Sequence, residues 1–329
     1  MTTYAARPLR IVFMGSDPIT LPLLNWLAGE GKSVAEVIGV FTQPDRPVGR
    51  GQKITANGIK TWSLDRGLPV FQPEKLTEEV RQQLAALDAD VGLVMAYGHI
   101  LKDDFIATPR LGTLNLHTSL LPKYRGASPI QTAIANGETE TGVTLMRIVR
   151  KLDAGPVAEV ERVPIQKLDT ANEVEAKLAV ACAPLIARAL PKLAAGTLDF
   201  VEQDELQATF CRKLVKADGV LDFSATATEL AARINGLFPW PGCTAEIGGQ
   251  FIKIGQAEAV VDESKSAVPG TVIKADRTGF HVSTRAGVLR LLKLQRPGGK
   301  MLTTAEFLLG FPIVQGSLIT SQIMPKLVR

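Results

Sequence analysis

The sequence predicts an α/β protein: a doubly wound, mostly parallel sheet followed by a smaller domain of short strands. Three observations carry this. Up to Gly196, β-rich runs alternate with helical stretches, the signature of stacked βαβ units. Beyond Gly196 the alternation stops, and short β-rich runs are cut by Gly and Asp, as in a small barrel or sandwich. The length of 329 residues suits two domains better than one.

The first strand is LRIVFMG (9–15), closed by Gly15. An apolar-periodic helix from Leu21 to Leu27 leads to a second run, VAEVIGVFT (34–42), completing a strand–helix–strand unit. Helical EEVRQQLAAL (78–87) precedes DVGLVMAYG (90–98), apolar on both faces and so expected as a fully buried parallel strand. GTLNLHTS (112–119) alternates: Leu114, Leu116 and Thr118 take one side, Asn115, His117 and Ser119 the other. VTLMRIV (143–149) and VAEVERVPI (157–165) read as further strands. A long helix starts near Thr170 and runs toward Leu190, with Pro191 near its end. LDFVEQDELQATF is mixed and polar and reads as a surface linker, which divides the chain into 1–197, a linker at 198–210, and 211–329. In the last part a helix from Ser224 to Asn235, capped by Ser224, and another after Thr303-Thr304 are expected.

Composition narrows the function classes. Hydrophobic residues make up 46% and charged residues 21%, which excludes global disorder. Only 5% are aromatic, so stacking on single-stranded bases is not a main device. No run reaches about 18 apolar residues, so no membrane span is expected. The N-terminus has no apolar core of signal-peptide length. Cys182, Cys211 and Cys243 are odd in number, widely spaced and form no CxxC pair, which argues against disulfides and structural zinc and for a reducing, cytoplasmic setting. The net charge of +4 is uneven: residues 206–329 carry 15 Lys+Arg against 9 Asp+Glu, the other 205 carry 22 against 24. A basic C-terminal part suits either a polyanionic partner or simply a charged surface.

Four segments carry chemistry. The first βα turn, GSDPIT, has one glycine and is not the G-x-G-x-x-G dinucleotide fingerprint, so a nicotinamide enzyme is disfavoured. In NLHTSLLPKYRG, period-2 spacing sets Asn115 and His117 on one face of a mid-domain strand, where open α/β sheets bind ligands beyond the strand ends. A neutral amide donor beside an imidazole suits stabilising an oxyanion and moving a proton; the plain alternative is two satisfied polar groups at a strand end. KLDAGPV supplies Asp153, either an ordinary turn aspartate or a third group that orients His117. FTQPDRPVGRGQK (41–53) is either a solvated surface loop or a mobile basic loop that grips phosphate.

With these segments in view, the chain resembles the methionyl-tRNA formyltransferases from about Leu9 to its C-terminus. NLHTSLLPKYRGASPIQ and ETGVTLMRIVRKLDAGPV are similar to the signature of 10-formyltetrahydrofolate-dependent formyltransferases. FTQPDRPVGRGQK resembles that family's inserted tRNA loop, and FPWPG with LLKLQRPGGK its basic OB-like barrel behind a Rossmann-like domain. The resemblance implies Asn115, His117 and Asp153 as the catalytic trio, with Ser119, Leu120, Leu121, Pro122 and Tyr97 around the folate. It implies Arg46, Arg50 and Lys53 as tRNA contacts. It also implies 10-formyltetrahydrofolate as formyl donor, initiator methionyl-tRNA as acceptor, no metal, and a monomer. GSDPIT replaces the commoner GTP-type turn and Ser128 stands where alanine is usual; neither touches the trio. The trio alone also fits an enzyme formylating a small amine, such as an amino sugar; the basic second half and the loop favour tRNA. A non-catalytic RNA-binding protein is disfavoured by the intact trio.

Overall fold

A computed structural model of the chain describes residues 7–48, 51–260 and 267–329. In chain order the elements begin with β1 (Leu9–Met14), α1 (Leu21–Ala28), β2 (Ala35–Phe41), β3 (Arg46–Val48) and β4 (Lys53–Thr55). There follow α2 (Gly58–Leu64), β5 (Val70–Phe71), α3 (Glu78–Ala86), β6 (Val91–Val94), α4 (Asp103–Ile106) and β7 (Thr113–His117). Then come β8 (Arg125–Gly126), α5 (Pro129–Ala135), β9 (Glu140–Arg147), β10 (Val157–Pro164) and α6 (Ala171–Ala194). The C-terminal part adds β11 (Phe210–Cys211), α7 (Ala227–Leu237), β12 (Cys243–Ile247), β13 (Gln250–Val260) and β14 (Val272–Asp276). It ends with β15 (Gly279–Ser283), β16 (Val288–Gln295), β17 (Leu302–Thr303) and α8 (Thr304–Gly310).

Two compact units result. The first holds the residues up to Arg125 with Gly142–Val163 and Ala176–Ala208; the second holds Gly126–Thr141, Pro164–Glu175 and Thr209–Arg329. The seven-stranded sheet runs β10-β9-β7-β6-β1-β2-β5. β1 pairs in parallel with both β2 and β6, β6 with β7, and β2 with β5, while β7 and β9 are antiparallel. The chain therefore leaves β1 in one direction, to β2 and β5, and later returns to its other side at β6. That reversal opens a crevice at the carboxyl ends of the strands. Every residue of β6 is buried, as its two-faced apolar pattern requires.

At the opposite, amino-terminal edge of the sheet sits Asp90, 2% exposed. It accepts from the Arg10 backbone N–H (2.9 Å), from Arg7 Nη1 (2.7 Å) and from Arg110 Nη2 (2.7 Å). Burial alone would push this carboxyl up, but the Arg10 N–H and the guanidinium groups of Arg110 and Arg7 outweigh it and hold it at about 2.

Three local expectations change. The segment after β2 is not a loop throughout: Arg46–Val48 and Lys53–Thr55 pair as an antiparallel hairpin, Arg46 opposite Thr55 and Val48 opposite Lys53. β-branched Ile54 and Thr55 suit strands, and Pro47 falls at a tolerated edge position. The long helix has Pro191 near its end as expected but extends beyond Leu190: α6 runs from Ala171 through Pro184 and Pro191 to Ala194. Its buried stripe, Leu178, Cys182, Leu185, Ile186, Ala189, Leu190 and Leu193, continues past both prolines, and this burial outweighs the roughly 3 kcal/mol that an interior proline costs. In the second unit the helix cap is Thr226, not Ser224: Thr226 Oγ1 accepts from the Glu229 N–H, and Glu229 reaches back to the Thr226 N–H in a capping box. The Ser224 hydroxyl instead donates to Asp222. The helix after Thr303 is present as α8, with the same Thr/Glu box at Thr303 and Glu306.

The second unit folds around an antiparallel sheet ordered β12-β13-β16-β15-β14, with β17 on β16. Phe223, Leu230, Ile234, Phe280, Leu291 and Phe307 belong to its core. Asn235 of α7 locks the helix onto β13, accepting from the Ala257 N–H (2.9 Å) and donating to the Ala257 carbonyl (2.9 Å).

Asp90 supplies a pH test of stability. Its folded carboxyl binds a proton less readily than in the unfolded chain, so its contribution is complete above about pH 4 and is lost as pH falls toward 2. The difference corresponds to roughly 2–3 kcal/mol. Asp90→Asn is expected to lower the urea unfolding free energy at pH 7 by about that amount and to flatten its pH dependence between about pH 4 and 2. Parallel urea titrations of both proteins across that range check it.

Candidate active site

The strand β7 sets the site. Leu114 and Leu116 are 0% and 2% exposed, so they anchor the strand, and the opposite side carries half-buried Asn115 and His117, the latter 7% exposed. Asn115 lies opposite Val94 of β6 and Met146 of β9, and His117 opposite Thr144. The Asn115 carboxamide makes no side-chain hydrogen bond among the described residues and is half-buried.

Both ring nitrogens of His117 are addressed. Nε2 lies 2.9 Å from the Tyr124 carbonyl, which can only accept, so Nε2 carries a hydrogen. That leaves Nδ1 as the ring atom facing Asp153, with Asp153 Oδ2 at 3.8 Å. This is beyond hydrogen-bond length but within range of direct charge pairing. A proton on Nδ1 gives an imidazolium beside a carboxylate; without it Nδ1 is a lone-pair acceptor.

The loops that present these groups are backbone-strained. Ala96, Tyr124 and Asp153, in the loops after β6, β7 and β9, all have positive φ (49°, 59° and 47°). Left-handed backbone at non-glycine residues costs on the order of 1–3 kcal/mol each, least for Asp. At Tyr124 the consequence is the carbonyl on His117.

The stretch Ser119–Pro122 forms the turn out of β7. Ser119 is buried and its hydroxyl donates to the Lys123 carbonyl (2.6 Å), while its own carbonyl accepts from Thr144 Oγ1 (2.6 Å). Thr144 Oγ1 in turn accepts from the Leu121 N–H (3.2 Å). Ser119 is thus spent on the turn, whereas Leu120, Leu121 and Pro122 are half-buried apolar surface. Tyr97 packs in the core with Met14, Phe41 and Phe105, and burial pushes its phenol up, so it stays neutral. Its hydroxyl is buried without a partner among the described residues. Its carbonyl is held by Ser16 Oγ and Gln43 Nε2 (3.2 Å each), which tie the loops after β1, β2 and β6 together.

Residues that the sequence reading passed over hold the Asp153 turn. Gln203 Nε2 donates to the carbonyls of Asp153 (2.9 Å) and Gly155 (2.8 Å). Arg125, 0% exposed, donates to Gln203 and to Glu205, and Lys151 also donates to Glu205 (2.6 Å). Arg125 and Lys151 draw the Glu205 carboxyl down to about 2. The only sequence signal was Arg125 beside a turn. Arg46 and Lys53 are exposed on the β3–β4 hairpin and are not joined to the trio by any recorded bond, and Arg50 lies outside the described residues.

Burial pushes the thiols of Cys182 and Cys243 up to about 12, so neither offers a thiolate. Among the described residues no three His, Cys, Asp or Glu side chains gather as a metal site, and no helix is long and apolar enough to cross a membrane.

A strand-borne amide and imidazole with a carboxylate nearby, one strand from the β1–β6 reversal of a doubly wound sheet, form a set able to stabilise an oxyanion and move a proton. The comparison with families makes the class specific: a model described as Formyl transferase matches residues 9–190, and one described as Formyl transferase, C-terminal domain, matches 213–312. The chain belongs to the methionyl-tRNA formyltransferase family. It is 42% identical to the methionyl-tRNA formyltransferase of Ectopseudomonas mendocina over 91% of this chain and 93% of that one. With that of Hydrogenovibrio crunogenus it shares 40% over 92% of this chain and 96% of that one. Solved structures share the fold at low identity. An N-formyltransferase from Helicobacter canadensis, in complex with folinic acid and dTDP-3-aminofucose, is 18% identical with a TM-score of 0.63, covering 88% of this chain and 100% of that one. The sugar 3N-formyl transferase WlaRD, in the presence of dTDP and 5-N-formyl-THF, is 18% identical with a TM-score of 0.61, covering 86% and 97%.

Gly155 tests how tightly the Asp153 turn is seated. A Cβ there would lie 1.9 Å from the Arg147 carbonyl oxygen, a backbone atom that cannot step aside. Gly155→Ala is expected to displace Asp153 and lower turnover by about 10-fold or more, since small misplacements at a reacting centre cost up to about 100-fold. Steady-state kinetics beside thermal unfolding check it.

Proposed function

We propose that the protein transfers the formyl group of 10-formyltetrahydrofolate to the α-amino group of methionine esterified to initiator tRNA, at the start of translation, and works as a monomer. The observation that carries this is the pairing of His117, its Nε2 held at 2.9 Å by the Tyr124 carbonyl and its Nδ1 facing Asp153, with Asn115 on the same strand face. Family membership supplies the donor and acceptor.

The residues fit a folate donor. Leu120, Leu121 and Pro122 offer half-buried apolar surface to a flat heterocycle, and the half-buried Asn115 amide on the adjoining strand leaves polar capacity beside it. The donor, when bound, supplies a formyl carbon that a neutral amine can attack. Asn115 donates an N–H to the formyl oxygen as it gains negative charge. His117, locked at Nε2, presents Nδ1 and, when protonated, adds positive charge to the same region. Asp153 keeps that proton in place and receives, directly or through water, the proton that the attacking amine sheds; the bond from the formyl carbon to the folate N10 would break as the new C–N bond is made, and N10 would leave carrying that proton. No covalent enzyme intermediate is required.

The basic strands of the second unit and the β3–β4 hairpin would hold the acceptor through its phosphates. Arg46 and Lys53 stand on that hairpin, and Arg50 is assigned the same role.

Asn115→Ala and His117→Ala are each expected to reduce turnover by on the order of 100-fold or more, in line with about 3–4 kcal/mol for one oxyanion donor. The decisive assay is transfer of radiolabelled formyl from 10-formyltetrahydrofolate to charged initiator tRNA, run against a panel of small amines. Wild-type turnover in both variants, or preference for an amino sugar, would overturn the reading. TRNA affinity should also fall steeply with salt, about 10-fold or more between 50 and 200 mM, because phosphate contacts release counterions. Filter binding over that range, with an Arg46→Ala/Lys53→Ala variant expected to show a shallower slope, tests the basic surface.

A further inference from the structure

The geometry points to Gln203 as a positioning residue for the transfer: one carboxamide that sets the partners of both His117 ring nitrogens. This rests on the formyl-transfer reading above and names a residue outside the trio.

Gln203 uses its whole hydrogen-bonding capacity on the site. Nε2 donates to the carbonyls of Asp153 (2.9 Å) and Gly155 (2.8 Å), and Oε1 accepts from Arg125 Nε (3.1 Å) and Nη2 (2.9 Å). Two donors and two acceptor positions are all that a carboxamide has. Its orientation is fixed, because the carbonyls can only accept and the guanidinium can only donate.

Each half of the amide leads to a different side of the imidazole. The Nε2 half pins the backbone of Asp153, whose left-handed φ of 47° turns its carboxylate toward His117 Nδ1. The Oε1 half pins Arg125, fully buried, directly after Tyr124 in the chain. The peptide group joining Tyr124 to Arg125 contains the carbonyl that accepts from His117 Nε2 at 2.9 Å. Gln203 is 50 residues from Asp153 and 78 from Arg125 in sequence, so nothing local substitutes for this bridge.

The chemistry of the position is exclusive. Glutamate keeps the Arg125 half but turns a charged oxygen on two carbonyls. Methionine matches the length and loses both halves. Lysine donates to the carbonyls and repels Arg125. Only glutamine has the donor pair and the acceptor at that reach.

The test uses the full chain, with Gln203→Met and Gln203→Glu assayed for formyl transfer to charged initiator tRNA. Both are expected to lower kcat on the order of 10–100-fold, as for a misplaced catalytic group. The KM values for donor and tRNA should stay within about twofold, because binding surface is untouched. The second readout is the ring ¹⁵N spectrum. The chain has only three histidines, so the His117 resonances are assignable, and they should move in both variants while those of His99 and His281 stay. If Gln203→Met fails to fold, Gln203→Glu, which keeps the Arg125 half, carries both readouts. Unchanged kcat, a change in KM alone, or a lowered Tm with unmoved His117 resonances overturns the assignment. Asn115→Ala runs in parallel. If it is impaired and the Gln203 variants are not, only this assignment falls; if it is unimpaired, the formyl-transfer reading falls with it.

Discussion

The hydrogen bond from His117 Nε2 to the Tyr124 carbonyl, 2.9 Å long, decides which ring atom is left unclaimed by the backbone. A backbone carbonyl has no second role to play: it accepts, and so it fixes one tautomer without itself titrating. A side-chain partner at Nε2 could rotate or change charge. The carbonyl can move only if the Tyr124 backbone moves, and that backbone is held in the left-handed region between a buried turn and a buried arginine. The ring is thereby committed to face Asp153 with Nδ1.

The sheet separates what it spends on function from what it spends on stability. Its carboxyl edge carries Ala96 and Tyr124, two non-glycine residues at positive φ, in the loops after β6 and β7, while Asp153, also at positive φ, follows the antiparallel β9. The amino edge carries the opposite arrangement. There Asp90 is fully satisfied by three arginines, two of them more than half exposed, and nothing about its geometry serves catalysis. The parallel strands make this division possible, because they send every loop after β1, β2, β6 and β7 to the same edge. Strain at one end is tolerable because the strands are clamped at the other.

The shared face of Asn115 and His117 was legible in the letters because period-2 alternation is a local property: Leu114 and Leu116 are buried, which puts Asn115 and His117 together on the other side. The mostly parallel, doubly wound character of the sheet was legible for the same reason, since each βαβ unit declares itself within a short window. What stayed hidden depends on distance or on competition between near-equal options. Thr226 and Ser224 are both good caps, and the choice fell to the one with Glu229 three residues on. The last turn of α6, past Leu190, was not read from the letters, because burial on the helix face carries the helix beyond Pro191. The role of Gln203 was invisible because a polar residue in a polar linker has no periodicity, and its partners are dozens of positions away. Family resemblance supplied the substrate, which neither pattern nor geometry could.

Arg125 shows why a polar network was kept under this site where apolar residues could have filled the space. A fully buried guanidinium loses its hydration, and a buried ion pair roughly breaks even against well-packed hydrophobic residues. Its carboxylate partner, Glu205, is half-exposed and shared with Lys151, which weakens the case for stabilisation further. An apolar side chain of the same volume, however, would pack without direction. The guanidinium is planar, and its hydrogens leave in a fixed fork, so binding Gln203 and Glu205 together permits one orientation only. That orientation is transmitted one peptide bond back, to the carbonyl on His117. Directionality, which hydrophobic packing lacks, is the property the site needs, and it accounts for a charge buried where stability alone would not call for one.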